Sequence, residues 1–141
     1  MITRLNPANE VQTAILSALE ADADLIALTS RIYPQQAPNK PQRPFVLYGS
    51  PIITPRKVQG GDAADVSGAI HCFADASDTA PDARAFSMDV AALIARILDG
   101  MDEVDLGDGM ALAIYVNQIQ CMQDGDASSW HSFVTYRAEA T

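Results

Sequence analysis

Apolar residues near the N-terminus recur at helical spacing. They predict an amphipathic helix from Val11 to Glu20, with Asn6 as its N-cap and Pro7 at the first helical position, where a missing N–H costs nothing. Asp22 is expected to cap a second, short helix that ends at Leu28. The apolar face of the first helix comprises Val11, Ala14, Ile15, Ala18 and Leu19.

A second helical pattern predicts the main helix, from Pro81 to Leu98. Asp78 or Thr79 is the expected cap, which places Pro81 and Asp82 in the first turn, and Gly100 marks the end of the helix. The apolar stripe of this helix comprises Phe86, Val90, Leu93, Ile94 and Ile97.

Four stretches have the pattern of β-strands. Phe45–Tyr48 is a short apolar run typical of a buried strand, and alternation of apolar residues predicts further strands at 66–73, 110–121 and 130–138. The third stretch changes parity between Val116 and Ile119, which predicts a bulge near Asn117-Gln118. Asp124-Gly125 is a turn signal that joins the last two strands into a hairpin.

The segments between these elements are rich in proline and glycine. Four prolines between Pro34 and Pro44 predict an extended connector. Ser50–Asp65 is predicted to be a long irregular loop, which makes it a candidate contact arm. The resulting fold class is α+β: a mainly antiparallel sheet of about four strands, with one long and one or two short helices packed on one face.

Composition supports one folded domain over residues 1–141. Apolar residues make up 48% of the chain and charged residues 19%, which is typical of a globular protein. No apolar run approaches the ~18 residues that span a bilayer, and Met1–Pro7 lacks the apolar stretch of a signal peptide. We therefore expect no membrane association and a protein that stays where it is made.

The net charge of −9 argues against tight binding of duplex DNA, and the charge is unevenly distributed. From Leu25 to Gly61 there are five bases and no carboxylates, a local charge of +5, whereas the rest of the chain has eighteen acids, four bases and a charge of −14. The five bases are Arg31, Lys40, Arg43, Arg56 and Lys57.

Several residue clusters raise the question of chemistry, and for each we favour a structural role. Five carboxylates between Asp99 and Asp108 do not have EF-hand spacing and are interpreted as a solvated loop: Asp99, Asp102, Glu103, Asp105 and Asp108. His71 and Cys72 offer zinc-binding atoms, as do Cys121 and His131, but neighbours on one strand point to opposite faces.

No catalytic residue, cofactor or metal is predicted. Neither cysteine has a recognised nucleophile signature around it, and both are expected to be reduced and buried. Gly60-Gly61 and Gly107-Asp108-Gly109 lack the context of a phosphate-binding loop. Trp130, Phe133 and Tyr136 are interpreted as core residues, with an aromatic binding surface as the alternative.

In the order of its elements and the breaks between them, the chain resembles a phage family long catalogued as a domain of unknown function. The structurally known members of that family resemble tail-completion or tail-terminator proteins. The most telling part is Asp22-x-x-Leu25 followed by Ile32-Tyr33-Pro34. The resemblance continues through 44–49, 69–73, the helix from Pro81 to Leu98 and the closing hairpin. Phe73 is a departure, because a tryptophan is common near this position.

The resemblance implies a non-enzymatic subunit of a ring, a homohexamer by family analogy, that stops growth of the tail tube. The implied partners are further copies of the chain, the tail tube protein, the head–tail connector protein and DNA that passes through the lumen without tight binding. The implied location is the tail of a virion or phage-like particle such as a gene transfer agent, assembled in the host cytoplasm.

The uneven charge suggests how such a ring could be held together. Head-to-tail ring contacts need two different surfaces on each subunit, and we hypothesise that bases on one copy reach an acidic face of the next. The candidate contact residues are Arg56 and Lys57, with Lys40 and Arg43 nearby in sequence. Surplus carboxylates would then line the lumen and repel passing DNA. The alternatives are another neck or adaptor protein, a small enzyme and a ligand-binding domain.

Overall fold

The computed structural model describes residues 6–35, 37–39, 41–58, 61–76, 81–101, 104–107, 109–125 and 128–140. Three helices and seven strands lie in these ranges. In chain order they are α1 (Ala8–Ala21), α2 (Ala23–Leu28), β1 (Ile32–Tyr33), β2 (Phe45–Tyr48), β3 (Ile52–Val58), β4 (Gly61–Asp75), α3 (Ala83–Asp99), β5 (Val104–Gly107), β6 (Met110–Gln123) and β7 (Ser129–Ala140).

The helices form where the apolar spacing predicted them, but two of the predicted caps are wrong. Asp22 does cap α2, since its Oδ1 accepts a hydrogen bond from Leu25 N (3.0 Å). Pro7 occupies the N-cap position of α1, one residue after the predicted Asn6, but it is Asn6 Oδ1 that accepts a hydrogen bond from Ala8 N (3.4 Å). Asp82, predicted inside α3, is its cap and accepts from Ala85 N (3.0 Å). The predicted caps Asp78 and Thr79 lie outside the described residues.

The buried face of α3 is rotated slightly from the predicted stripe. Val90 and Ile94 are buried as expected, whereas Phe86 is only half-buried and the small residues Ser87 and Ala91 are buried in full. Small side chains let the helix approach the sheet closely, and the buried Ser132 Oγ donates to the Ser87 carbonyl (2.9 Å). The buried face of α3 therefore includes small residues that the apolar stripe left out.

The sheet is larger than predicted, with seven strands rather than about four. Its order is β1-β2-β4-β7-β6-β5, and β3 pairs with β4 beside β2. All pairings are antiparallel except that of β1 with β2, which confirms a mainly antiparallel α+β fold. The additional strands are β1, β3 and β5, and β5 forms within the segment that was predicted as an acidic loop.

The predicted irregular arm at Ser50–Asp65 is wrong, because this segment forms the hairpin of β3 and β4. The pairing runs from Ile52↔Ser67 to Val58↔Gly61. Pro55 argued against a strand, but β3 pairs with no described strand other than β4, and proline is tolerated at such an edge.

One core lies between the helices and one face of the sheet. Residues from all three helices pack there against alternate residues of β2, β4, β6 and β7. The register shift between Val116 and Gln118 confirms the predicted bulge, and Gly125 (φ +83°) lies in the confirmed turn between β6 and β7. No helix in the described ranges is long and apolar enough to cross a membrane.

Candidate interaction surfaces

Arg56, near the tip of the β3–β4 hairpin, lies beside an acidic residue of the same hairpin. Arg56 Nε is 3.0 Å from Asp65 Oδ1, and Lys57 is the register partner of Asp62. By sequence, the paired stretch from Ile52 to Ser67 contains two bases and two acids. Lys40, another candidate contact residue, lies outside the described residues.

Arg43 is also engaged within the chain. Its Nη1 lies 2.9 Å from Asp124 Oδ2 and 3.4 Å from Asp75 Oδ1, without the alignment of a hydrogen bond. Its guanidinium lies over the rings of Phe73 (5.4 Å) and Phe45 (6.0 Å). The fold thus places acidic residues from later in the sequence beside the basic segment. The segments with net charges of +5 and −14 therefore do not form two separate surfaces at Arg43 or Arg56.

The sheet face opposite the helices carries a continuous row of rings, called here the aromatic face. The rings of Phe45, Phe73 and His131 stack in sequence, with centroids 5.0 Å and 4.2 Å apart. The ring centroids of His71 and Phe133 are 5.9 Å apart, and the ring of Phe133 also lies beside that of His131, so these two rings extend the row. The aromatic face consists of Tyr33, Phe45, His71, Phe73, His131 and Phe133.

The two histidines of the aromatic face form a direct pair. His71 Nδ1 and His131 Nε2 are 2.8 Å apart, so one ring donates to the other in a direction set by the tautomers. This bond exists only while one of the facing nitrogens is unprotonated. Burial lowers the pKa of both groups; His131 lowers that of His71 further, whereas for His131 the raising effect of Asp124 exceeds the lowering effect of Arg43.

This pair predicts a loss of stability in mild acid. Because the pKa values in the folded state lie below the ordinary value of about 6.5, the unfolded chain binds protons more readily, and stability present above that pH is lost as the pH falls. We expect the melting temperature to fall between about pH 7 and pH 5.5. These are the chain's two histidines, so the double variant His71→Gln/His131→Gln should show a much flatter profile in the same window. An unchanged slope would contradict the assignment.

The cysteines and carboxylates show no arrangement for catalysis or metal binding in the described ranges. Burial raises the pKa of the Cys72 thiol to about 12, which disfavours a nucleophilic thiolate. Cys121 lies on the opposite side of the sheet from His71 and His131, with its Sγ 3.7 Å from Ser87 Oγ. No group of three metal-binding side chains occurs among the described residues.

The acidic segment and the aromatic trio are dispersed by the fold. Asp99 ends α3, and Asp105 lies in β5, where its Oδ1 accepts from Gly107 N (2.8 Å). Asp102, Glu103 and Asp108 lie outside the described residues. Tyr136 is in the core as expected, Trp130 is half-buried, and Phe133 is on the aromatic face, so these three rings do not form one surface.

A groove of about 570 Å³ lies between α1 and the segment from Gly100 to β5. Met101 and Leu106 contribute apolar surface, while Glu10 and Asp105 contribute carboxylates. The lining contains no histidine or cysteine, so the groove offers a contact surface and no nucleophile of either type.

Sequence reasoning missed both the histidine pair and the aromatic face. His71 and Phe73 fall on the opposite parity from Ile70 and Cys72, which was the available signal, but the register with β7 was needed to bring His131 beside them. The register also places Phe73 opposite Phe45, at the position where the sequence departs from the resembled pattern.

Comparison with known proteins agrees with the resemblance. The sequence profile of the family described as tail completion protein gp17 matches residues 13–139. A search of curated proteins finds no significant match. A chain of the solved virion of a native gene transfer agent particle shares the fold, with a TM-score of 0.74, 22% identity, and coverage of 94% of this chain and 96% of that one. Because the profile spans α1 to β7, the chain belongs to the tail completion protein gp17 family.

Proposed function

We propose that this protein is a structural, non-enzymatic subunit of a phage-like tail, forming a homo-oligomeric ring with six-fold symmetry that terminates the tail tube and joins it to the head connector. The observation that carries this proposal is the family match over residues 13–139. The shared fold with a chain of a gene transfer agent virion supports a place in such a particle.

The role fits the chemistry of the described residues. A ring subunit works through extended surfaces, and the aromatic face and the β3–β4 hairpin are two different surfaces of this kind. The acidic excess of the whole chain, −9, would repel DNA that passes through the lumen and keep it from adhering.

We also propose that the hairpin tip contacts a neighbouring subunit or the tube through Arg56 and Lys57. Arg43 lies beside Asp75, at the opposite end of β4 from the tip, so Arg43 and Lys40, its near neighbour in sequence, are proposed for a separate contact. Of the described candidates, Lys57 lies nearest the turn of the hairpin, so it is the base chosen for replacement. It is exposed on an edge strand. Its charge would set the register and speed of encounter more than affinity.

The experiment adds the purified protein to growing tail tubes assembled from the tube protein of the same particle. Electron microscopy is expected to show a six-fold ring at one end of each tube, and tube length should stop increasing once the ring is present. Lys57→Glu should lower ring occupancy by up to about fivefold, because one rim charge contributes up to roughly 1 kcal/mol.

The matched control is Arg84→Glu, which reverses another exposed base on α3, away from the hairpin. It should leave occupancy unchanged. Tubes that elongate freely, with no protein bound at either end, would contradict the terminator role. Equal effects of the two variants would contradict only the hairpin contact.

A further inference from the structure

Strand β6 has an outer edge that the described part of the chain leaves largely unpaired. β5 pairs with it only over Met110–Leu112, and Ile114 N donates to the Met101 carbonyl (3.2 Å). From Tyr115 to Gln123, the strand that pairs with β6 among those described is β7, on the other side. Backbone N–H and C=O groups on the outer side therefore point away from the sheet at intervals along this stretch.

This edge lacks most of the features that normally prevent strand addition. Tyr115–Gln123 contains no proline, glycine or charged residue, and its one irregularity is the bulge after Val116. The other edges differ: β3 contains Pro55, Arg56 and Lys57, while β1 has two residues and β5 four. Among the described edges of the sheet, the long unpaired edge of β6 is thus the least protected against strand addition.

Exposed apolar side chains accompany the unpaired backbone. Tyr115, Ile119 and Met122 are 46%, 41% and 41% exposed. Ile119 lies opposite Val134 on the helix side, and Met122 lies opposite His131 on the side of the aromatic face. A strand added at this edge would therefore cover apolar surface on both faces of the sheet while it satisfies the backbone groups.

Charge indicates a second copy of the chain as the occupant. Two copies that each carry −9 repel one another over most approaches. The run Met110–Gln123 contains no Asp, Glu, Lys, Arg or His, and two ion pairs beside it, Arg137–Glu139 on β7 and Arg43–Asp124, are each internally balanced. Contact at this edge brings two copies together with the least opposition of like charges.

We propose that the outer edge of β6, Tyr115–Gln123, accepts an extended strand of a second copy of this chain. The inference rests on the proposed self-association and identifies the surface that receives the neighbour. Hydrogen bonds between the two backbones hold the copies together, and Ile119 and Met122 become covered from both sides.

The test introduces lysine at the edge, in Ile119→Lys, Met122→Lys and the double variant. Both positions are exposed, so the fold should persist, which circular dichroism and melting temperature will show. Sedimentation velocity over a range of protein concentrations is expected to show association in the natural sequence and a dissociation constant raised roughly tenfold or more in the double variant. Hydrogen exchange should show protection of amides in Tyr115–Gln123 that grows with concentration and is lost in the double variant.

Met88→Lys is the matched control, because Met88 is 37% exposed on α3 and gains the same charge away from the β6 edge. It should associate like the natural sequence. Association that survives the double variant, or falls equally with Met88→Lys, would overturn the β6 contact. Rings that still cap tubes in the double variant would overturn the β6 contact alone, whereas a natural sequence that is monomeric in solution and at tube ends would overturn the proposed ring as well.

Discussion

Replacing Tyr136 with alanine is expected to lower the free energy of unfolding by about 3–5 kcal/mol, the range measured for loss of a large aromatic side chain from a core. Tyr136 is fully buried in β7, and its hydroxyl lies 2.8 Å from that of Tyr48 in β2, across β4. The substitution removes the ring from the centre of the core and leaves the Tyr48 hydroxyl buried without its partner. Urea denaturation followed by circular dichroism measures the loss.

Tyr136→Phe separates the two contributions. It keeps the ring and removes only the hydroxyl bond, so the loss should be about 1–2 kcal/mol. Burial raises the pKa of both tyrosines, so the pair is neutral at all ordinary pH values and its contribution should not change between pH 6 and 9. If alanine and phenylalanine had the same effect, the ring would not be packed as described.

The second large effect is expected from Gly49→Ala, which should destabilise the protein by about 1–3 kcal/mol through overpacking. A Cβ at Gly49 would lie 2.6 Å from the Ala69 carbonyl oxygen and 3.0 Å from His71 Nε2. The carbonyl belongs to backbone that also accepts the Gly49 N–H (2.9 Å), so it cannot move without loss of that bond. Thermal and urea unfolding report the change.

Gly100→Ala serves as the control for Gly49→Ala. Gly100 follows α3 with φ −83°, and a Cβ there would meet its nearest atoms at 3.6 Å, an ordinary contact. This variant should be neutral or more stable by up to about 1 kcal/mol, because it removes conformational freedom from the unfolded chain. A destabilisation of Gly100→Ala as large as that of Gly49→Ala would contradict the steric explanation.

The sequence predicted those elements whose signal is local. The helical spacing of Val11, Ile15 and Leu19 reflects burial of one face against a single core, so it located α1 without knowledge of its neighbours. Likewise, alternation located β6 and β7, and the parity change located the bulge. Each of these patterns is formed by residues that are close together in the sequence.

The strands that were missed carry proline or are very short. Pro55 and the glycines near it predicted a loop, because no local feature shows that β3 would be an edge strand, paired among the described strands with β4 alone. β5 is four residues within an acidic segment and is defined by its pairing with β6. Short edge strands of this kind have too few residues for a periodic pattern to stand out.

The charge pattern failed as a guide to surfaces because it ignores folding. Counting along the chain separated Arg56 from Asp65 into a basic and an acidic segment, but the hairpin places them 3.0 Å apart. Arg43 and Asp124 are far apart in sequence and 2.9 Å apart in the fold. Linear charge segregation therefore measures distance along the chain, whereas an interface depends on what lies beside a charge after folding.

The position of β7 in the middle of the sheet has a consequence for biosynthesis. β4 emerges from the ribosome well before β7, yet β7 supplies the neighbour for residues 64–75 of β4, from Ala64↔Ala140 to Asp75↔Ser129. Until the polypeptide has been extended through Ala140, the nascent chain holds Ile70 and Cys72 without the strand that completes their surroundings. Folding of the core is thus delayed by the order of translation, and the nascent chain is open to chaperone binding for that interval.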